Sequence, residues 1–383
     1  MSGTVSSAAC RAVLHPGGSK KPRISPGELI TSQNQGSISI MSTRRIVIIP
    51  GDGIGPEITA AVEKVIAASG ADIEWVEHLA GLSALEQGLH VMPEETIDAI
   101  KEHKVALKGP CTTPIGKGFT SVNVQLRKIL DLYAAVRPVR NLPGVTTRFN
   151  NVDIVIIREN TEGLYSGVEN VVTPGVVMSM KVATEKACSC ISHWAFEYAR
   201  HRHRRKVTVF HKANIMKMTD GLFISKSKEA ALEYPDIEYQ EMIIDAGCMK
   251  LVQDPPQFDI LLLENLYGDL ISDLCAGLVG GLGVVPGANI GDSEAVFEAV
   301  HGSAPDIAGK NVANPLALLM SGVMMLNHIA DTEGREDFFE CAERIKHAYD
   351  RALQEGDKTR DLGGQLSTTE FADALIRRME TGE

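Results

Sequence analysis

The sequence predicts an α/β protein, and three observations carry that prediction. Short apolar runs of strand length alternate along the chain with longer stretches of helical periodicity. Glycine- and proline-rich turns punctuate this alternation, and no internal repeat of fixed period is visible. Hydrophobic residues fill 44% of the 383 positions, enough apolar surface to offset chain entropy and build two or three core-bearing lobes.

Taken in order, residues 45–50 (RIVIIP) read as a buried strand. A glycine-rich turn follows, then a helix that starts near Pro56, with proline in its first turn. Further strands are expected at 73–77, 105–108, 152–158, 206–210, 237–243 and 258–263. Helices fall between them at about 122–130, 185–200, 219–232, 246–254 and 268–278. Residues 175–184 (GVVMSMKVAT), bounded by Pro-Gly, read as one arm of a strand pair. Three helices close the chain, around 315–330, 337–353 and 368–379.

Residues 1–42 differ from the rest, being rich in Ser, Gly and Pro, with Arg11, Lys20, Lys21 and Arg23 against the single acid Glu28. Transit peptides are basic and poor in acid, but this segment lacks amphipathic periodicity. It is expected to be a disordered extension, or the product of a start codon assigned too early at a position upstream of Met41.

The 38 basic and 49 acidic residues leave a net charge of −11, which argues against non-specific nucleic-acid binding. A local arginine cluster can still hold a small anion. The seven cysteines have no zinc-ligand spacing and are expected to be reduced thiols. No uninterrupted apolar run reaches the roughly 18 residues of a membrane span, so a soluble protein is expected.

Several constellations could carry chemistry. Gly51-Asp52-Gly53-Ile54-Gly55-Pro56 follows a strand and opens a helix, but its spacing is GxGxG, not the GxGxxG of a dinucleotide fingerprint. A tight strand-to-helix turn explains it as well. The stretch from Lys108 to Lys117 fails as a P-loop, because no hydroxyl residue follows the lysine. Asp269 and Asp273 stand at i and i+4, so both carboxylates leave one helix face. Their helix is otherwise apolar, which favours a hard divalent cation over a solvated acidic face. Asp245, at the end of an apolar strand, could join them.

Arg127, Arg137 and Arg158 lie in or beside buried elements, and arginine matches carboxylates bidentately. Three of them suggest a multiply charged carboxylate; surface salt bridges are the plain alternative. Ser121, at a helix start, could cap it or bind an anion. Lys212 ends a strand and is a candidate acid or base. Tyr165 is either a proton donor or a packed aromatic, and residues 201–206 read as a solvated basic helix end.

Taken together, these segments resemble the isocitrate/isopropylmalate dehydrogenase family, the metal-dependent β-decarboxylating dehydrogenases. The ordered set PGDGIGPE, LKGPCTTP, SVNVQLR, LYAAVRP, RENTEGLYSG, HKANIMK, NLYGDLISD, GGLG, EAVHGSAPDIAGK and DLGG carries the resemblance from Arg45 to Met379. It implies a large α/β domain (43–132 with 280–383), a small one (133–162 with 185–279) and a strand-pair clasp (163–184), and not a Rossmann fold.

The resemblance also implies site roles. Asp269 and Asp273, with Asp245 of the partner subunit, would hold Mg²⁺ or Mn²⁺. Arg127, Arg137 and Arg158 would hold two substrate carboxylates, and Ser121 and Asn123 the third. Tyr165 and Lys212, the latter from across a dimer interface, would move protons. Thr113, Glu298, His301, Gly302, Ser303, Ala304, Pro305, Asp306, Ile307 and Asn314 would hold NAD. Family members that use NADP carry Lys-Tyr where this chain has Asp306 and Ile307.

The implied activity is oxidative decarboxylation of isocitrate to 2-oxoglutarate. The polar pair Ser121 and Asn123 favours isocitrate over isopropylmalate or homoisocitrate. A non-catalytic regulatory subunit is the alternative from another class. A homodimer or higher homo-oligomer in a bacterial cytoplasm is expected, with the mitochondrial matrix as alternative.

Overall fold

The computed structural model describes residues 43–113 and 120–381. The expected extension 1–42, and Lys117 of the P-loop-like stretch, lie outside the described residues. Twelve strands are described: β1 (Arg44–Ile49), β2 (Ile73–Glu77), β3 (Val105–Lys108), β4 (Ala134–Arg140), β5 (Asp153–Glu159), β6 (Gly163–Thr173), β7 (Val176–Val182), β8 (Lys206–His211), β9 (Glu238–Ile243), β10 (Ile260–Leu263), β11 (Pro286–Ile290) and β12 (Ala295–Ala299). Ten of them form one sheet in the order β2-β1-β3-β12-β11-β4-β5-β10-β8-β9, and β6 pairs with β7 in a separate hairpin. Pairing is parallel at both ends of the sheet and antiparallel across β12-β11-β4-β5 in the middle. This mixed order is not that of a Rossmann sheet.

The α/β expectation is met, and most expected elements fall within two or three residues of their observed ends. Strands β4, β11 and β12 lie outside the expected set. Arg137 and Pro138 interrupt the apolar run of β4, and β11 holds Pro286, Gly287 and Asn289. The helix expected at 268–278 runs Asn265–Val279, because the Glu264 carboxylate accepts the orphan N–H of Tyr267 and starts it early. Residues 255–257 form a 3₁₀ turn, so the strand expected at 258–263 begins only at Ile260.

Both sheet faces are buried, so its strands read as continuous apolar runs. Alternation splits them between two cores. Ile46, Ile48, Val105 and Leu107 face the larger one, with helix Leu316–Glu333. Val47, Ile49, Ala106 and Val296 face the smaller one, with helices Glu94–His103 and Val122–Ile129.

Register then places the polar residues. Lys108 on β3 is directly opposite Glu298 on β12. Asn289 on β11 is opposite Ala135 on β4, and Ala135 is opposite Arg158 on β5. Arg137 lies two residues from Ala135, on the same side. Five adjacent strands therefore put Lys108, Glu298, Asn289, Arg137 and Arg158 on one face. The fold converts a period of two into a polar floor.

Lys108 Nζ lies 2.6 Å from Glu298 Oε2. Burial works against both charges; each holds the other ionised, and Arg127 adds to Lys108 in keeping the Glu298 pKa down at about 2. We expect Lys108→Met to cost about 3–5 kcal/mol at neutral pH, since it strands a buried charge. Adding Glu298→Gln should recover much of that loss in urea titrations. The sign with pH follows: a depressed carboxylate pKa contributes stability above the unfolded value, near 4.3, that is lost as pH falls toward 2. The deficit of the single variant should therefore shrink as pH falls through about 4. A deficit that is constant with pH would contradict the ion-pair account.

Candidate active site

Three guanidinium groups stand over that floor. Arg127 comes from helix Val122–Ile129, Arg137 from β4 and Arg158 from β5, with 7%, 8% and 1% of their surface exposed. Buried arginines are not surface salt bridges. Burial, with Arg127 and Arg137 as like-charged neighbours, pushes the Arg158 pKa down to about 10. Such a cluster persists because each member is tied down. Arg158 donates from Nε and Nη2 to Asn265 Oδ1 (3.1 and 2.7 Å) and from Nη1 to Asp269. Arg137 Nη1 donates to Ser272 Oγ and lies 3.5 Å from Asp269 and 3.9 Å from Asp273. Helix Asn265–Val279 can approach this closely because residue 268 is glycine; a Cβ there would lie 2.5 Å from Arg158 Cγ.

Asp269 and Asp273 leave the same face of that helix, as their spacing requires. Tyr165 donates to Asp269 Oδ2 at 2.6 Å, and the Arg158 guanidinium lies 5.1 Å from the centre of its ring. Burial and the Asp269 carboxylate raise the Tyr165 pKa, so the phenol keeps its proton. Burial opposes ionisation of Asp269, but Arg158 and the Tyr165 hydrogen bond hold its pKa below the usual range. For Asp273, burial prevails and the pKa is raised.

Asp245 does not join this pair within one chain. It forms an ion pair with Lys212 Nζ at 2.7 Å, and among the described residues no group of three His, Cys, Asp or Glu side chains converges as a metal site. Nor do Lys212 and Tyr165 meet: Lys212 follows β8, whereas Tyr165 sits on the hairpin strand β6 against Asp269. The chain presents two separate half-constellations.

The remaining expected residues border the arginines. Asn123, Arg127 and Arg137 line a cleft of about 550 Å³, open to solvent, together with Glu298, His301 and Gly302. Three buried polar atoms here have no hydrogen-bond partner among the described residues: Asn123 Oδ1, Arg127 Nε and His301 Nε2. Buried polar groups are normally paired, so orphans at one cleft point to a missing ligand. Burial holds the His301 pKa below its usual value. Its Nδ1 lies 3.0 Å from the Gly302 carbonyl, which only accepts, so Nδ1 carries the proton and Nε2 is an acceptor.

Ser303 shares a hydrogen bond with Thr112 (Oγ1 to Oγ, 2.5 Å), and its carbonyl accepts the N–H of Ile54 at 2.9 Å. A Cβ on Gly53, where φ is +61°, would lie 2.1 Å from that carbonyl. The PGDGIG turn thus packs against the 301–307 loop, and Asp52 spends its carboxylate on the N–H groups of Leu82, Ser83 and Thr112. Ala304 sits at φ +37°, Pro305 and Ile307 bound a 3₁₀ turn, and the Asp306 carboxylate makes no cap to that turn.

The exposed Ser121 side chain makes no cap to its helix, and the orphan N–H of the first helical residue, Val122, is taken by Thr113 Oγ1 at 3.0 Å. Asn314 is engaged at both ends, donating to Asp361 Oδ2 (2.9 Å) and accepting from Leu316 N–H (3.0 Å). Sequence reasoning did not single out Lys108 or Asn289, which complete the hold on Glu298. The signal for Lys108 was a lysine closing the all-buried strand VALK.

A model of the isocitrate/isopropylmalate dehydrogenase family matches residues 45–375. The mitochondrial NAD isocitrate dehydrogenase catalytic subunit 5 of Arabidopsis thaliana is 52% identical over 330 residues, 86% of each chain. A regulatory subunit of the mitochondrial NAD isocitrate dehydrogenase of Dictyostelium discoideum is 49% identical over 90% of this chain and 94% of its own. The crystal structure of isocitrate dehydrogenase from Methylococcus capsulatus superposes with a TM-score of 0.83 at 46% identity, covering 88% of this chain and 99% of that one. With the match spanning nearly all described elements, and with the arginines, paired aspartates and His301 loop assembled as above, the chain belongs to the isocitrate/isopropylmalate dehydrogenase family.

Proposed function

We propose that the chain is a catalytic subunit of a metal-dependent NAD isocitrate dehydrogenase, converting isocitrate to 2-oxoglutarate and CO₂. One observation carries this reading: three buried arginines, with Arg127 Nε and Asn123 Oδ1 unpartnered, border an i, i+4 carboxylate pair and a protonated tyrosine. A substrate with several carboxylates and a hydroxyl suits that set. The polar Asn123 favours isocitrate over its homologue with a longer chain. A regulatory subunit would not need every one of these positions filled.

The donor set fits a hard cation in part: Asp269 and Asp273 offer oxygen ligands from one helix face, and Asp245 of the partner subunit would supply a third. A divalent cation held there would acidify the substrate hydroxyl and draw electrons from the carbon centre that loses CO₂, while a bound nicotinamide would accept the hydride. Arg127, Arg137 and Arg158 would orient the carboxylates and keep the reacting carbons in register. Tyr165, held protonated beside Asp269, would deliver a proton to carbon after CO₂ leaves, and the partner's Lys212 would restore it. His301, Asp306 and Ile307 would face the nucleotide.

The separation of the two half-constellations supports a shared site built by two subunits. Exposed apolar side chains support it too: Val171 and Val177 on the hairpin, Met218 after Lys212, and Leu270 between the aspartates are 72%, 66%, 87% and 60% exposed. The homo-oligomer expected from the sequence widens to an assembly with copies or with sister subunits, since relatives are named as subunits. Those names also favour the mitochondrial matrix over the cytoplasm, and residues 1–42 would then be a transit segment. We assign 43–132 with 280–383 and 133–162 with 185–279 to two lobes, and 163–184 to the clasp between subunits.

The first test is turnover of purified protein with isocitrate, NAD and Mg²⁺ or Mn²⁺. Activity is expected, and Lys212→Met should lower kcat far more than it raises KM. Absence of turnover unless a sister subunit is added would favour the regulatory reading.

A second test concerns the cofactor. Asp306 can accept from ribose hydroxyls and repels a 2′-phosphate. Asp306→Lys with Ile307→Tyr should shift the kcat/KM ratio toward NADP by more than about tenfold, because a charge-assisted hydrogen bond is worth roughly 1.5–3 kcal/mol. An unchanged ratio would remove cofactor choice from this loop.

A further inference from the structure

The two half-constellations are separate in space but joined by a buried ion cluster at the base of the hairpin. Lys181, near the end of β7, is mostly buried; its Nζ lies 2.6 Å from Asp220 Oδ1 and 3.6 Å from Glu264 Oε1, and 4.6 Å from the centre of the Tyr267 ring. Asp220 is 2% exposed. Its second oxygen, Oδ2, accepts the backbone N–H of Lys212 at 2.7 Å. Glu264 caps helix Asn265–Val279 by accepting the N–H of Tyr267, one turn before Asp269. The path therefore runs from the Lys212 peptide, through one carboxylate and one ammonium, to the start of the helix that carries Asp269 and Asp273.

The local chain explains why Lys212 needs this hold. Residues 212–218 form a turn outside any strand or helix, with Ile215 and Met218 exposed. The turn is closed by the N–H groups of Ile215 and Met216 on the Lys212 carbonyl, both at 2.9 Å. That fixes the carbonyl side of Lys212. On its N–H side the partner is Asp220, whose other oxygen is held by Lys181 at 2.6 Å and, at 3.3 Å, by the Thr219 hydroxyl. A loose peptide would let the ammonium sweep over several ångströms, and proton transfer tolerates little such misplacement.

We infer that Lys181 and Asp220 are positioning residues: they fix the Lys212 backbone relative to the Asp269 helix and so place its ammonium for proton transfer. This role rests on the assignment of Lys212 as a proton-transfer residue. Lys181 and Asp220 line a separate cavity with Glu159, Glu162 and Glu264, and each spends its charge on the other.

The test is steady-state kinetics of Lys181→Met, Lys181→Arg and Asp220→Asn, with wild type and Lys212→Met in parallel. Lys181→Met should lower kcat by roughly tenfold or more, a fraction of what a proton-transfer group contributes. KM for isocitrate and for NAD should stay within about twofold, as expected where only the transition state is affected. Lys181→Arg keeps the cation and should restore most of the rate. Asp220→Asn keeps the volume but weakens the joint, and reads the same role should Lys181→Met fail to fold. The inference is overturned if Asp220→Asn and Lys181→Met both keep the wild-type kcat, or if KM rises as much as kcat falls. If wild type is inactive, or Lys212→Met matches it, the functional reading itself has failed and this role goes with it.

Discussion

Everything at the site depends on where the Glu298 carboxylate sits. It is buried, yet it accepts from Lys108 at 2.6 Å and Asn289 at 2.7 Å, and lies 3.5 Å from Arg127. Asn289 in turn accepts from Asn160 at 2.9 Å, which also reaches the Leu132 carbonyl. One anion thus ties β3, β12, β11, the loop after β5 and the helix that carries Arg127. Buried ion pairs are poor sources of net stability. What this one provides is placement: without it, the lysine and arginines would repel one another and the polar floor would open.

The same balance explains why the cleft suits an anion. Arg127, Arg137 and Arg158 crowd together, and the carboxylates that hold them, Glu298 and Asp269, sit to the side or below. Arg127 Nε, buried beside them, has no hydrogen-bond partner among the described residues. Charge already desolvated by folding need not be desolvated again on binding, which is how preorganised sites gain on water. The overall acidity of the chain is no obstacle, because the field at short range is set by three buried cations and not by solvated surface charge.

Much of the fold was legible from the sequence, where strands are unbroken apolar runs. RIVIIP and VALK fell where their runs place them. Of the central antiparallel strands, β4 and β11 did not declare themselves, because their residues serve the site: AAVRPVR carries two arginines and a proline, and PGANI a glycine and an asparagine. Motif recognition supplied the arginines and Asp269, while geometry supplied what motifs omit. Ser121 illustrates the difference. Its position before a helix suggested a cap, but its side chain makes none, and the first N–H of the helix goes to Thr113, eight residues earlier in sequence. The split between Lys212 with Asp245 and Tyr165 with Asp269 is equally invisible in one dimension, since it depends on which strands of the sheet are neighbours.

The thiols of this protein have a consequence for its chemical durability. Cys111 lines the cleft beside Lys108, a place where cysteines are often reactive. Burial pushes its pKa up to about 11, with Lys108 only partly opposing and Asp52 adding to the rise. Cys188 and Cys275 are pushed to about 12 by burial as well. Peroxides and electrophiles attack the thiolate, so a thiol that burial keeps protonated reacts slowly even where it lines an open cleft. The cleft therefore holds a cysteine beside a buried lysine without the reactivity that such a neighbour usually confers.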